Sequence, residues 1–547
     1  MKWIPYSHFQ NSEDHISNLY KDYLTNFDAL RHYYTATYRE KTGWEKIINH
    51  TLSRSINRSA LVRVLHHYNK EHQCGIKTLA NIDLLHDENT LAVVTGQQLG
   101  ICTGPLYTIY KTITAIKLTQ QLSQNFPNYN FVPIFWLECE DHDFEEINKL
   151  SFINNANEIT TSHYLLEGKP LEKNLGAVGN ITIDNFITQF FTEMEQSFQK
   201  TEFTTPLFDM IQSYYKSGNT FLQSFVGFMN RLFEDDGLIF LNPNTPELKN
   251  LAKPLFKKEL ESVTEVSKIV IKQSAELEEQ YHAQIKAKAV NLFMFHKGGR
   301  YAIEPSEDGT YYLKNTRQRF SQEELLNLVE KSPEIFSPNV VMRPLYQDTL
   351  LPTVGYIAGP SEIAYFAQLQ PVYDFFGMTM PIIYPRASVT IVEEKVKKVL
   401  EKFQLNILEF FGDVEPLLAR IAEQVSEVKV DNVFLQLHTN FSEALKEAQF
   451  GITQIDPTLD GTLKTTQAKI ESLLTVLKEK TQKAQQQKQD ISLRQIQKAS
   501  LYLFPKENFQ ERELNVLYFM NKYGLEFVQW ISGEIDINHF QHQLIEI

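Results

Sequence analysis

Through the first ninety positions, apolar residues recur every three or four places. Ile16, Leu19, Tyr20, Tyr23 and Phe27 form one stripe, and Leu61, Val64, Leu65 and Tyr68 another, so helices are predicted. The texture then changes. Leu91-Ala92-Val93-Val94-Thr95 is a continuous apolar run closed by Gly96, the mark of a strand buried on both faces. Pro105 stands where a helix begins, and Leu106, Ile109, Ile113 and Ile116 lie along one side of it. That helix ends near Asn125-Phe126-Pro127, and a second buried run follows, Phe131 to Leu137, breaking into a string of acids. Strand, helix and strand in this order form a βαβ unit with parallel pairing. The fold class is therefore α/β with a parallel-sheet core.

Further along, 150–235 mixes short strands with helices near Phe186–Phe198 and Phe221–Phe233, and Gly237–Leu241 reads as another core strand. A long polar helix is predicted from Pro246 to Gln284, then a hairpin in which Asn291–His296 and Arg300–Glu304 flank Lys297-Gly298-Gly299. Two α/β segments follow: Thr353–Ala358 leading into a helix at 361–376, and Pro381–Tyr384 leading to Pro385-Arg386. Beyond about 390 the chain turns helical. Leu463, Ile470, Leu473 and Leu477 have heptad-like spacing, and Gly451–Gly461 is the expected turn of an antiparallel coiled coil at about 432–503. The Gln-rich tract Lys483–Gln489 reads as a solvated helix. The expected organisation is a core at 1–390, with insertions at about 150–235 and 246–335, and a helical domain at 391–547.

Composition narrows the function classes. A chain of 547 residues exceeds one compact core, so two or three domains are expected. The net charge of −14 disfavours general nucleic-acid binding. No apolar run reaches the roughly 18–20 residues that span a bilayer. The N-terminus turns polar by Asn11-Ser12-Glu13-Asp14 and lacks the apolar centre of a signal peptide. Three cysteines, Cys74, Cys102 and Cys139, form no disulfide framework, and the cytoplasm is the expected compartment.

Ligands of open α/β sheets bind beyond the carboxyl ends of the strands, where several polar clusters here are expected to converge. Thr95-Gly96-Gln97-Gln98 opens a loop with three glycines that ends at Gly104-Pro105. Either the loop is a tight turn, or its backbone approaches an anion at the start of a helix. Tyr107 and Lys111 lie on that helix away from its apolar stripe, leaving Lys111 free to supply positive charge. Neither the P-loop spacing nor GxGxxG is present. The second cluster, Glu138 to Asn148, packs six carboxylates around His142. It reads as a solvated helix start capped by Asp143, as a base acting on an amine, or as a metal loop of Asp141, His142 and Asp143. The third holds Arg343, Tyr346 and Gln347 in an expected loop, where Arg343 either clamps a carboxylate or pairs with the acids. Gly359, Glu362 and Tyr365 repeat the glycine-then-helix device, and Arg386 follows the last strand. Cys102 and Cys139 read as buried filler, and His66 and His67 as ordinary helix residues.

Three long stretches together resemble the cysteine ligase family of bacillithiol biosynthesis. They are Val94–Gln98 with Thr103–Lys111; Phe135-Trp136 with Glu140–Asn148; and Arg343–Asp348 with Leu351–Thr353, Gly359-Pro360 and Glu362–Leu369. Gln510-Glu511-Arg512 before the last helices also fits. The resemblance implies a Rossmann-like core, a coiled coil used to form a homodimer, and an enzyme that adds cysteine to the amine of glucosaminyl malate. Joining a carboxylate to an amine in water is uphill, which calls for an acyl-phosphate or acyl-adenylate made from ATP with magnesium. The malate carboxylates call for Lys111, Arg343 and Arg386, and the sugar ammonium for a base among Asp141, His142 and Asp143. The glycine loop would hold phosphate or carboxylate through its N–H groups. Thr95, Gly96, Gln97, Gln98, Gly104, Tyr107, Asn148, Tyr346, Gln347, Gly359, Glu362 and Tyr365 complete the expected site, with no metal ligands assigned. The alternatives are another α/β nucleotidyl-transfer or metal-dependent hydrolytic enzyme, or a non-catalytic coiled-coil scaffold.

Overall fold

The computed structural model describes residues 2–9, 16–169, 174–425 and 429–547, so the polar run at 11–14 lies outside them. Five parallel strands make the central sheet: β1 (Thr90–Gln98), β2 (Asn130–Glu138), β3 (Ile239–Leu241), β4 (Thr353–Ala358) and β5 (Ile382–Pro385). Their spatial order is β5-β4-β1-β2-β3. The chain thus winds outward from β1 in one direction and then, after β3, in the other, which is the Rossmann arrangement. The direction changes between β1 and β4, and the crevice opening there at the carboxyl ends is where such sheets take ligands. All of Leu91–Val94 and Val132–Leu137 are buried, as near-continuous apolar strands covered on both faces must be.

Four helices position the site: α1 (Tyr107–Asn125) joins β1 to β2, α2 (Met342–Leu350) precedes β4, α3 (Pro360–Phe366) follows it, and α4 (Gln510–Glu513) comes from the tail. The segment around Arg343, expected as a loop, is the helix α2. Asn339 starts it by accepting hydrogen bonds from the N–H groups of Val341 (2.9 Å) and Met342 (3.2 Å). The single helix expected at Pro246–Gln284 is three, Pro246–Leu251, Lys253–Glu261 and Glu265–Leu277. Pro254 restarts the second, and Thr264 at φ 71° breaks the chain before the third. Pro371 likewise divides the helix expected at 361–376 into α3 and Gln370–Phe376. The expected hairpin pairs Leu292–His296 with Gly299–Pro305 and belongs to a five-stranded antiparallel sheet of the insertion.

By compactness the chain forms two units, Met1–Ile391 with Asn508–Glu546, and Val392–Glu507 with Ile547. Residues expected in one helical domain from 391 to 547 are therefore shared out. The tail re-enters the first unit because His542–Glu546 forms the middle strand between Trp3–Ile4 and Ser388–Val392. Helical periodicity marks an apolar face but not the body that covers it. In the second unit, Val430–Ile455 and the 45-residue helix Leu459–Leu503 run antiparallel. Their turn is Asp456-Pro457-Thr458, where the Asp456 carboxylate accepts from the Thr458 N–H at 2.9 Å. Gly451 and Gly461 both lie inside the helices. Among the described residues no helix is long and apolar enough to cross a membrane.

Candidate active site

A cavity of about 630 Å³ opens at the carboxyl ends of the central strands, where the winding reverses. Gln97, His142 and Arg343, far apart in sequence, all line it. So do Gly96 and Gln98 of β1, Asp141, Tyr107, Lys111 of α1, Gly359, Glu362, Tyr365 and Arg386. Thr95, Gly104, Asp143, Asn148, Tyr346 and Gln347 do not. Thr95 points into the protein, next along the strand from Gly96 on the opposite side. Asp143 turns away to cap the short helix Phe144–Ile147 through the Glu145 N–H at 3.1 Å. Asn148 donates to the Tyr164 carbonyl at 3.1 Å. Tyr346 is buried beneath the cavity, donating to the Pro243 carbonyl at 2.8 Å. Gln347 supports Arg343 from behind, accepting from its guanidinium at 3.1 Å.

The glycine loop is not an open anion cradle. The N–H groups of Gly100, Gly104 and Leu106 donate to the carbonyls of Gln98, Ile101 and Leu514, and that of Cys102 to the Tyr215 hydroxyl. The Asn515 amide donates to the Cys102 and Gly104 carbonyls at 2.9 and 2.6 Å, closing the loop from the tail side. Gly104 sits at φ 67°, ψ −149°, a conformation nearly reserved for glycine, and a Cβ on Gly100 would come within 2.8 Å of the Gly104 Cα. Its glycines serve the turn.

Nor is Lys111 free. Its ammonium is buried against the Glu362 carboxylate (2.5 Å), the Gly96 carbonyl (2.8 Å) and the Gln97 side-chain oxygen (3.1 Å). Glu362 also accepts from the Tyr356 hydroxyl and the Gly359 N–H, both at 2.8 Å. Burial would raise the Glu362 carboxyl, but the Lys111 charge and these hydrogen bonds prevail and hold it below its ordinary value. Arg343 faces Glu138 at 3.3 Å, donates to the Tyr365 hydroxyl at 3.1 Å and lies over the Tyr356 ring. Arg386 is paired with Glu511 at 2.7 Å.

The acidic cluster divides into different environments. Asp141 accepts from Gln98 (3.0 Å) and from the His142 N–H (2.7 Å), with Arg300 at 3.4 Å. Burial pushes its carboxyl up, but His142, Arg300 and Gln98 outweigh that and hold it well below the usual carboxylate range. Glu140 pairs with the buried Lys249. Glu138 differs: burial first, then Glu140 and Asp141 nearby, push its carboxyl up to about 7 against the opposing pull of Arg343. Sequence reasoning placed Glu138 in the cluster but did not single it out, because the guanidinium beside it, Arg343, comes from α2, far along the chain. Arg300, from the insertion, was missed as well. It lies over the Phe293 ring at 4.0 Å and donates to Ser337 and the Pro338 carbonyl, with its position visible in sequence only as a hairpin residue.

Among the described residues no group of three His, Cys, Asp or Glu side chains is placed to hold a metal ion. With Asp143 turned away, the Asp-His-Asp loop does not converge. Cys102 and Cys139 are buried, and burial pushes both thiols up, which disfavours the thiolate.

Two family models cover the chain: "Bacillithiol biosynthesis BshC, N-terminal Rossmann-like domain" at residues 4–387, and "Bacillithiol biosynthesis BshC, C-terminal coiled-coil domain" at 389–547. Curated relatives are similar along nearly their full length. A protein of Salinibacter ruber named "Putative cysteine ligase BshC" is 36% identical, covering 97% of this chain and 96% of its own. Proteins of the same name from Chloroherpeton thalassium (35%, 99% of each chain) and Chlorobaculum tepidum (34%, 95% of each) are similar in the same way.

Proposed function

The chain belongs to the bacillithiol-biosynthesis BshC family, and from that premise we propose that the cavity at the head of the sheet joins cysteine to the amine of glucosaminyl malate. The amine of that substrate is protonated in neutral water and becomes a nucleophile after losing a proton. Glu138 is the group that takes it. A carboxylate with an affinity near neutrality can both accept a proton and release it again, whereas Asp141, held far lower, is too weak a base. Arg343 lies against Glu138 and so orients it.

The observation that carries this reading is the tuned carboxylate at a strand end, in a cavity built from every motif that resembles the family. The cysteine carboxylate is activated before transfer, and ATP with magnesium is the proposed source of that activation. The N–H groups of Gly100, Cys102, Gly104 and Leu106 are already engaged, so Lys286 and Lys288 in the cavity lining are the groups proposed to meet its phosphates. The reaction is assigned to the cytoplasm, in keeping with three unbridged thiols. A second copy is the proposed partner of the coiled coil, whose Leu435, Phe450 and Ile455 on one helix and Leu473 and Leu477 on the other are exposed.

Purified protein given cysteine, glucosaminyl malate and Mg-ATP is expected to form the thiol product with nucleotide consumed. Glu138→Gln should lower kcat by about 10²–10⁴-fold and abolish the acidic limb of the kcat/KM profile near pH 7. Product without nucleotide turnover would overturn the activation step. No product under any nucleotide condition would favour the scaffold reading.

A further inference from the structure

The cavity's charges are nearly all spoken for. Glu362 is matched by Lys111, Glu138 by Arg343, Asp141 by Arg300, Glu140 by Lys249 and Glu511 by Arg386. An incoming carboxylate gains little from such a cation, because it must displace a tethered group of its own charge. Three more cations line the cavity, Lys286, Lys288 and Arg512, and none of them makes an ion pair among the described residues. They are not equivalent. Lys286 and Lys288 are exposed, so water and salt screen them. Arg512 is half-buried and presents a planar fork that matches a carboxylate with two parallel hydrogen bonds.

The backbone at Arg512 is also fixed before any ligand arrives. Gln510 accepts from the Ile391 N–H at 2.9 Å and donates to the Ile391 carbonyl at 3.1 Å. Glu511 accepts from the Val389 N–H at 2.8 Å and from Ser388 at 2.9 Å, besides pairing with Arg386. The two residues before Arg512 therefore clamp α4 to the strand Ser388–Val392, so the backbone that carries the guanidinium at the cavity wall is ordered by folding. Arg386, its neighbour across Glu511, lies over the Tyr107 ring on the same wall of the cavity.

We propose that Arg512 holds a carboxylate of the malate moiety and so makes the enzyme prefer an anionic aminosugar over an uncharged one. The inference rests on the ligase reading above and names the residue that gives its acceptor specificity. It assigns to the tail, not to the Rossmann strands, the recognition that Lys111, Arg343 and Arg386 were expected to supply.

The test compares wild type, Arg512→Ala and Arg512→Lys as full-length proteins. Calorimetry gives the affinity for glucosaminyl malate and for methyl glucosaminide, which keeps the amine and lacks the carboxylates. Steady-state kinetics gives KM for each substrate. Arg512→Ala should weaken glucosaminyl malate about 10- to 100-fold in Kd and KM, the effect of one charged hydrogen-bonded contact, and leave methyl glucosaminide, cysteine and ATP little changed. Arg512→Lys should regain part of the loss. Equal weakening of both aminosugars, a loss that falls on ATP or cysteine instead, or no loss at all would each overturn the proposal. Should Arg512→Ala fail to fold, Arg512→Lys and Arg512→Gln carry the same comparison. If wild type binds glucosaminyl malate but never ligates cysteine to it, the ligase reading fails while the binding ratio still decides Arg512. If wild type binds neither aminosugar, both are overturned.

Discussion

Lys111 shows how a side chain's role depends on what lies across from it. The helical spacing of α1 correctly separates Lys111 from the Leu106, Ile109 and Ile113 stripe, yet the face it occupies is also buried, against Glu362 some 250 positions later. Removing the buried ammonium would leave the half-buried Glu362 carboxylate without its cation. Lys111→Ala is therefore expected to destabilise the fold by about 3–5 kcal/mol in urea denaturation, and Lys111→Met with Glu362→Gln to recover much of it. A stable Lys111→Ala protein with a raised requirement for the malate substrate alone would return Lys111 to the substrate-binding role. Glu138 is the converse case. As one acid among six it looked ordinary, and its raised affinity for protons comes from partial desolvation and from the acids around it, against the pull of Arg343.

At the scale of elements, the glycine loop and the tail are one construction. Leu514 and Asn515 satisfy the loop's backbone, and the strand His542–Glu546 inserts beside Ser388–Val392. His542 within that strand is fully buried, its ring nitrogens at 2.8 Å from the Ser388 and Thr390 hydroxyls. Burial pushes its pKa down to about 4, with Glu511 opposing and Arg386 assisting. The unfolded chain, with an ordinary histidine near 6.5, binds the proton more readily, so stability falls as pH drops from about 6.5 to about 4. The expected loss across that window is about 3 kcal/mol. His542→Gln should flatten the dependence of Tm on pH there, and an unchanged slope would mean that other groups carry it. The turns at Thr264 and Pro371 follow the same logic: local chemistry ends a helix, and the packing that follows decides where the next one points.

For the whole molecule, the coiled coil is the part whose sequence pattern and structure agree most directly, because a helical hairpin joined by three residues is a local object. Its exposed apolar residues lead to a prediction at this scale. Leu435→Asp with Leu473→Asp should convert a dimer into a monomer in sedimentation equilibrium, while leaving the helical signal intact. A wild-type protein that sediments as a monomer at all concentrations would refute the proposed partner.

Buried runs alternating with amphipathic stretches were enough to identify the βαβ core, and polar residues at the strand ends were enough to locate the cavity, since strand burial and the position of a crevice follow from short-range periodicity and winding. The sequence therefore determined that Gln97, His142, Arg343, Glu362 and Arg386 would share a cavity. Which charges remain available to a ligand was decided by the tertiary structure alone. Ion pairing in a water-poor cleft falls off over a few ångströms, and the partners come from segments far apart in the chain: Glu362 of α3 for Lys111, Glu138 of β2 for Arg343, and Glu511 of the tail for Arg386.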